Sequence, residues 1–554
     1  MMSTISTNCL PWREKVNKMR ITRLFSAVCA LLVFLCCITP SVNAKAIKDD
    51  FVKVRDRGFV CGGREYVIKG MAMGNNVWSN PKSAPVSDHN ESSYKELSEL
   101  GFNSVRFYLN YGLFETESGT RREEGFKWID KNIRWGKKYG IRLILNMHYP
   151  QGGYQSGGNG DRLWTDKDNQ NRLIRLWGDI AEKYANEPYI IGYGLVNEPV
   201  PVGRTSARDG LAVWKGLAQK ITDRIRKKDK NHIIFIERVL SVKDPKTMEQ
   251  DWSLSTQESF VRINDPNTAY EFHIYDPYRF THQGFDWAGT TNAATSYPSD
   301  NIIASGVRWL GLGAVTVKPG KDWQSVSSDR IYIRNEDTNA VAAVFQAAYM
   351  KNGHAYAKDI CIDVYDASGK RVKTVKCDPC SFNFWSADSS GRGITENSVL
   401  HISDTADDAN MSSICIEHKK GYSYTIRGKV RTDKEEGAKI AFRVDSYHAE
   451  SMEKFDKTML EKSMSSVIDF SKKYNVPIYC GEFGAGINCF ADDRGGDRWV
   501  TDMLSILNKN KISYNYHSYN DGSFGLYRPV NGKLVRSDKL AEVFTTVCEK
   551  TNMN

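Results

Sequence analysis

The stretch Tyr189-Ile190-Ile191-Gly192-Tyr193-Gly194-Leu195-Val196 decides the fold, together with two elements on its C-terminal side. A helical stripe of Leu211, Trp214, Leu217, Ile221 and Ile225 comes next, and then a second apolar run, His232-Ile233-Ile234-Phe235-Ile236. Runs apolar at nearly every position read as strands buried on both faces, as in parallel sheets covered by helices. The stripe recurs at three- and four-residue steps, the period of one helix face. Strand, amphipathic helix and strand in this order make a β/α unit.

Towards the N-terminus the same alternation recurs. Strands are expected at 66–73, 104–109 and 142–147. Helices are expected at 93–100, at Phe126, Ile129 and Ile133, and at Leu173, Trp177, Ile180 and Tyr184. Past a sixth strand at 269–274 the pattern breaks. From 301 to 444 the apolar period falls to two: Ile331 and Ile333, then Tyr422, Tyr424 and Ile426, then Ile440, Phe442 and Val444 alternate with polar neighbours. Such runs, separated by turn residues, predict an antiparallel sandwich. Helical spacing returns at 455–474, 499–507 and 540–548, with strands at 477–479 and 512–516 between. Eight strands outside the interruption predict an α/β fold, a (β/α)8 TIM barrel with an all-β sandwich domain inserted after strand 6. The expected division is a signal peptide at 1–44, the first part of a catalytic barrel at 45–300, an inserted sandwich and candidate carbohydrate-binding module at 301–445, and the second part of the barrel at 446–554.

At 554 residues the chain is too long for one ordinary domain, and its 41% hydrophobic content excludes global disorder. The net charge of +10 is spread without a run of like charges, so no nucleic-acid partner is expected. Arg13, Lys15, Lys18, Arg20 and Arg23 lead into an apolar run at 24–38 and then Pro40-Ser41-Val42-Asn43-Ala44. A basic lead, a short apolar run and a small-residue exit predict a cleaved signal peptide, with Met19 as an alternative start. The run is short for a membrane span. The expected location is therefore secreted or cell-surface/periplasmic, with no stable span after cleavage. Eight cysteines lie beyond Ala44, which permits disulfides without fixing their connectivity. Cys377-Asp-Pro-Cys380 has metal-knuckle spacing but no second pair to complete a zinc site, so a disulfide or free thiols is expected.

In such a barrel, chemistry sits where strands end and βα-loops begin. Those places hold Arg106, Asn146-Met147-His148-Tyr149, Val196-Asn197-Glu198-Pro199, Phe272-His273-Ile274-Tyr275, Gly481-Glu482-Phe483-Gly484 and Tyr516-His517-Ser518-Tyr519. Glu198 and Glu482 offer two carboxylates at one mouth, the pair that glycoside hydrolysis needs. The bland alternative for each is a salt bridge or a helix cap.

Leu195-Val196-Asn197-Glu198-Pro199 and Tyr479-Cys480-Gly481-Glu482-Phe483-Gly484 resemble the two signature strand ends of glycoside hydrolase family 5, the largest cellulase family. His148, His273, Tyr275 and Arg106 match that family's site positions, and Phe280-Thr281-His282-Gln283-Gly284 resembles a run in its cellulase branch. The resemblance covers both barrel segments and skips the insert. It implies a retaining double displacement, with Glu198 as acid/base and Glu482 as nucleophile. It further implies that Arg106 and Tyr275 keep Glu482 ionised, that Asn197 binds the sugar 2-hydroxyl, and that His148 and His273 orient sugar and carboxylates. One departure stands out: the family's tryptophan after the eighth strand is replaced by His517. Loop aromatics Trp78, Tyr149, Tyr154, Trp164, Tyr278 and Trp287 are candidate sugar platforms, Trp287 foremost. On the insert the candidates are Trp323, Tyr332, Tyr349 and Trp385.

The expectation is an exported cellulase, an endo-β-1,4-glucanase acting on cellulose or related β-glucans. It needs no cofactor and no metal, and is expected to be monomeric, with a β-linked polysaccharide as its partner. The alternatives are an endo-β-1,4-mannanase or xyloglucanase on the same scaffold, a non-catalytic carbohydrate-binding protein and, more weakly, a metal-dependent hydrolase.

Overall fold

The computed structural model describes residues 51–78, 89–290, 295–396, 398–434 and 436–552. The expected signal peptide lies outside them. Among the described residues no helix is long and apolar enough to cross a membrane.

Eight parallel strands close into a barrel: β1 (Lys69–Met73), β2 (Ser104–Asn110), β3 (Arg142–Tyr149), β4 (Ile190–Gly194), β5 (Ile233–Glu237), β6 (Thr268–Ile274), β7 (Ile478–Phe483) and β8 (Ser513–Tyr516). β8 pairs with β1 and β5 with β6, so no edge is left. Outward-facing Val105, Phe107, Leu109, Leu143 and Leu145 pack under the helices, in one core with Trp177, Trp214 and Trp499. Inward-facing Ile144, Ile191, Ile233, Phe235, Ala269 and Tyr479 fill the lower barrel, where Val52, Phe59 and Ile68 from the N-terminal hairpin close it. The stripe at 211–225 forms the helix Gly210–Arg226, whose buried face carries Trp214, Leu217, Ala218, Ile221 and Ile225.

One strand is markedly longer than expected. Strand β7 extends to Phe483, four residues past the expected end, so Glu482 lies on the strand itself. Between β5 and β6 the helical element is the single turn Thr256–Ser259.

Between β6 and β7 lie two antiparallel sheets. One runs in the order Arg308–Val317, Lys439–His448, Ala340–Ala348, Ala409–Ser412, Asn383–Ser386. The other runs Gln324–Ser327, Ser423–Thr432, His354–Tyr365, Val399–Ser403, Arg392–Glu396. Alternate residues of both, including Val341, Phe345, Phe442, Ile362, Tyr424 and Ile426, meet in a common core. The insertion leaves and rejoins the barrel through one ladder, Ile302–Ser305 against Ser451–Lys454. Cys361, Cys377, Cys415, Cys480 and Cys489 carry free thiols; the Cys380 side chain lies outside the described ones.

Candidate active site

The upper barrel is polar where the lower barrel is apolar. On β2, Arg106 and Tyr108 face inward two residues apart. On β5 and β6, the inward rows end in Glu237, Glu271 and His273. On β7 a register shift after Cys480 puts Glu482 opposite His273, so the pleat yields one extra inward residue. Gly481 is required there: a Cβ at that position would lie 1.8 Å from Glu271 Oε1.

Glu482 is the most closely held group. Its Oε1 accepts from Arg106 Nη1 at 2.7 Å and from Tyr108 Oη at 2.7 Å, and its Oε2 accepts from Tyr275 Oη at 2.8 Å. Burial alone would raise its pKa. The positive charges of His273, His517 and Arg106 outweigh burial and hold the carboxyl well below the usual range. Arg106 is wholly buried and its guanidinium faces five residues, Glu482, Glu271, Asn197, Glu237 and His273. Its Nε faces Glu271 Oε1 at 2.8 Å, and its Nη2 donates to Asn197 Oδ1 at 2.9 Å and approaches Glu237 Oε2 at 3.5 Å.

Glu198 sits just past β4, on the cleft, with its side chain 17% exposed. Its backbone is left-handed, with φ of 43°. A non-glycine residue held there carries about 1–3 kcal/mol of strain, a cost that clusters at working sites. The close partner of the Glu198 side chain is His273, whose Nδ1 lies 2.8 Å from Oε1. The same nitrogen lies 3.6 Å from Glu482 Oε2, and His273 Nε2 lies 3.3 Å from Glu237 Oε1. Burial opposes a charge on His273, but Glu237, Glu482 and Glu198 prevail and raise its pKa well above the ordinary value. Burial likewise pushes Glu237 upward. Glu198, Glu237 and His273 are close enough to share a cation. Their ring nitrogens and carboxylates instead pair with one another directly.

His148 stacks on Tyr108 with ring centres 3.9 Å apart. Burial pulls its pKa well below the ordinary value. Asn197 has its oxygen fixed on Arg106 and its Nδ2 3.2 Å from Ser156 Oγ, which lines the cleft. His517, at the position of the missing tryptophan, is held by Tyr108 Oη at 3.0 Å and Asp521 Oδ2 at 3.5 Å. Burial resists its protonation, but Glu482 and Asp521 raise its pKa.

All nine expected site residues therefore converge, eight of them around the Glu198–Glu482 gap. The ninth, Trp287, lies further along the cleft, 63% exposed, its Nε1 donating to Ser523 Oγ at 3.2 Å. The cleft measures about 1330 Å³ and is lined also by Trp78, Tyr154, Trp252 and Tyr278. Two expected platforms do not line it. Trp164 is buried, packs edge-on against Trp214 and donates to Gln155 Oε1; Tyr149 stacks behind Tyr154. The Phe280–Gly284 run braces the loop after β7: Asn488 Nδ2 donates to the Gln283 carbonyl, and the Gly486 amide to the Thr281 carbonyl. Sequence reasoning missed Tyr108, Glu237, Glu271 and Asp521. Inward alternation from Arg106, His273 and Phe235 points to Tyr108, Glu271 and Glu237; nothing local marks Asp521.

The barrel mouth thus joins a buried carboxylate to a second, cleft-facing one through a histidine, the pairing that glycoside hydrolysis needs. Residues 62–310, somewhat less than half of the chain, match the family described as Cellulase (glycosyl hydrolase family 5). The match reaches Glu198 and ends before β7, so Glu482 joins the site through strand pairing. Endoglucanase C of Acetivibrio thermocellus is 28% identical over 213 residues, 38% of this chain and 57% of that protein. Cellodextrinase A of Ruminococcus flavefaciens is 26% identical over 224 residues, 40% of this chain and 62% of that protein. The chain thus spans less than two thirds of these relatives. The crystal structure of endoglucanase Cel5A from Thermotoga maritima overlays with a TM-score of 0.46 at 16% identity, covering 86% of this chain and 96% of that one.

Proposed function

We propose that the protein is an exported endo-β-1,4-glucanase that cleaves internal bonds of cellulose or a related β-glucan with retention of configuration. The observation that carries this reading is the asymmetry of the two carboxylates about His273. Glu482 is buried and kept ionised by three donors, as a nucleophile must be. Glu198 faces the cleft, where a departing oxygen can reach it, and is oriented by His273 Nδ1 at 2.8 Å from its Oε1, as a proton donor must be.

In the first step Glu482 attacks the anomeric carbon while Glu198 protonates the departing glycosidic oxygen. In the second, Glu198 takes a proton from water, which attacks the glycosyl–Glu482 ester and releases the sugar. Both carboxylates lie near one nitrogen, at 2.8 and 3.6 Å. That closeness favours retention, which needs about 5–5.5 Å between carboxyls, over inversion, which needs about 6.5–9.5 Å. Arg106, Tyr108 and Tyr275 position the nucleophile, and Asn197 Nδ2 is placed for the sugar 2-hydroxyl. A cleft larger than the roughly 300–1,000 Å³ of ordinary ligand pockets suits several consecutive sugars and hence internal cleavage. Export, inferred from the N-terminal pattern, suits a polymer that stays outside the cell.

The test is hydrolysis of soluble β-glucan, mannan, xyloglucan and xylan, with proton NMR of the first-formed anomer. Glucan hydrolysis with initial retention is expected. Preference for mannan or xyloglucan would move the assignment to those activities, and binding without cleavage would reduce the protein to a carbohydrate binder.

A further inference from the structure

The sheet running from Arg308–Val317 to Asn383–Ser386 has one face in the sandwich core and one face outside it. The outer rows are set by register. Trp309 pairs with Tyr447, which pairs with Ala340; Trp385 pairs with Asn410, which pairs with Gln346. Trp309 and Trp385 therefore stand on opposite edge strands, on the same face, and six residues apart along the central strand. At about 4.8 Å between strands and 3.4 Å per residue, the diagonal between them is on the order of 28 Å.

The edges are exposed and the floor is not. Trp309 and Trp385 are each 54% exposed, whereas Gln346, Asn410, Arg443 and Asp445 between them are buried. Ala340, Ala342 and Val344 on the central strand are covered by the side chains above them. Tyr447 reaches over them to hydrogen-bond Ser412 on the far side. The floor is ordered: Arg443 Nε donates to Asp445 Oδ1 at 3.0 Å, Trp309 Nε1 donates to Asp445 Oδ2 at 3.1 Å, and Gln346 Nε2 donates to Asp408 Oδ1 at 2.5 Å.

We propose that this face is a second binding site for a β-1,4-linked glucan chain, lying diagonally from Trp309 across Tyr447 to Trp385. The chemistry selects that occupant. Rigid, exposed aromatic rings offer flat apolar area at little entropic cost, matching the flat faces of pyranose rings. The amide, guanidinium and carboxylate beneath are buried and paired with one another, so they fix the rings in place and leave the contact to the aromatic faces. A folded protein partner needs an apolar centre with a polar rim, and this face has the reverse. The expected platform Trp323 belongs elsewhere, its ring flanked by Lys358 at 4.4 Å and Arg431 at 5.3 Å. The Trp309 end is the barrel-proximal end, four residues beyond the ladder that joins the insertion to the barrel.

The choice of glucan rests on the proposed activity; the existence of the site does not. The test is isothermal titration of the full-length Glu482→Gln protein with cellohexaose. Two sites per chain are expected, and one after adding Trp309→Ala and Trp385→Ala, with thermal melting unchanged. Trp385→Phe in place of alanine should restore the second site to within tenfold of its affinity. In the Glu482-intact chain the two tryptophan substitutions should leave cellotetraose hydrolysis within twofold. A single site in both proteins, or a second site that survives the double substitution, overturns the proposal. Should the intact chain cleave no β-glucan, the activity falls, while the stoichiometry still reads the sandwich face on its own.

Discussion

The barrel mouth and the outer face of the sandwich treat polar groups in opposite ways. At the mouth, Arg106, Glu237, Glu271 and Glu482 are all buried, and each charge answers another at short range. On the sandwich the ion pair Arg443–Asp445 underlies a surface that exposes Trp309, Leu312 and Trp385. That contrast sets what each region can do. Low polarity around fixed charges moves pKa values and prepares a site for reaction. Exposed rings over a settled floor attract a flat ligand and change nothing in it.

Removing the nucleophile puts this contrast under the greatest strain. Glu482→Gln should lower turnover on soluble β-glucan by on the order of 10⁵, the scale seen when a covalent nucleophile is lost. Retained activity within tenfold of wild type would end the assignment. Glu198→Gln should cost about 10²–10⁴ and recover largely on aryl glycosides whose leaving groups need no proton. Equal losses on both substrate types would exclude it as the acid.

Arg106→Ala tests whether the mouth is also structural. Leaving three buried carboxylates without their cation should cost about 3–5 kcal/mol of stability, read by chemical denaturation. The pH dependence comes from the same network. Glu482 is depressed, so its stabilising charge is present above the ordinary carboxylate range and is lost only as pH falls through its lower folded value. His273 is raised, so its contribution is complete below the ordinary histidine range and fades as pH rises through its higher folded value. Activity and melting temperature should hold a plateau between those limits, and Arg106→Lys should move the acid limb upward. A profile centred on an unshifted carboxylate would contradict the electrostatics. The smallest effect belongs to the cleft aromatics: Trp78→Ala should raise KM by about tenfold, in the range of one stacking contact, with kcat little changed.

Much of this architecture is legible in the sequence. Buried strands such as 190–194 announce themselves because both faces are apolar, and the insertion because its period changes from helical to two. Glu198 and Glu482 are legible through their flanking motifs. The length of β7 is not, because Gly481-Glu482 reads as a strand end while a register shift carries pairing on to Phe483. Asp521 is hidden for a different reason: it works through His517, and the local pattern around it carries no mark of that. Trp309 escapes notice because an exposed ring gains meaning only from the strand opposite it.

The ladder of Ile302–Ser305 against Ser451–Lys454 bears on how the molecule assembles. Its strands end side by side, with Ser305 Oγ 2.7 Å from Ser451 Oγ. To the strands it interrupts, the whole insertion is therefore a connection whose two ends already touch. Once it is folded, bringing β6 beside β7 demands little more loss of chain freedom than a short turn would. So long a detour of polypeptide can intervene between the two halves of the site while Glu482 still meets Arg106 and His273.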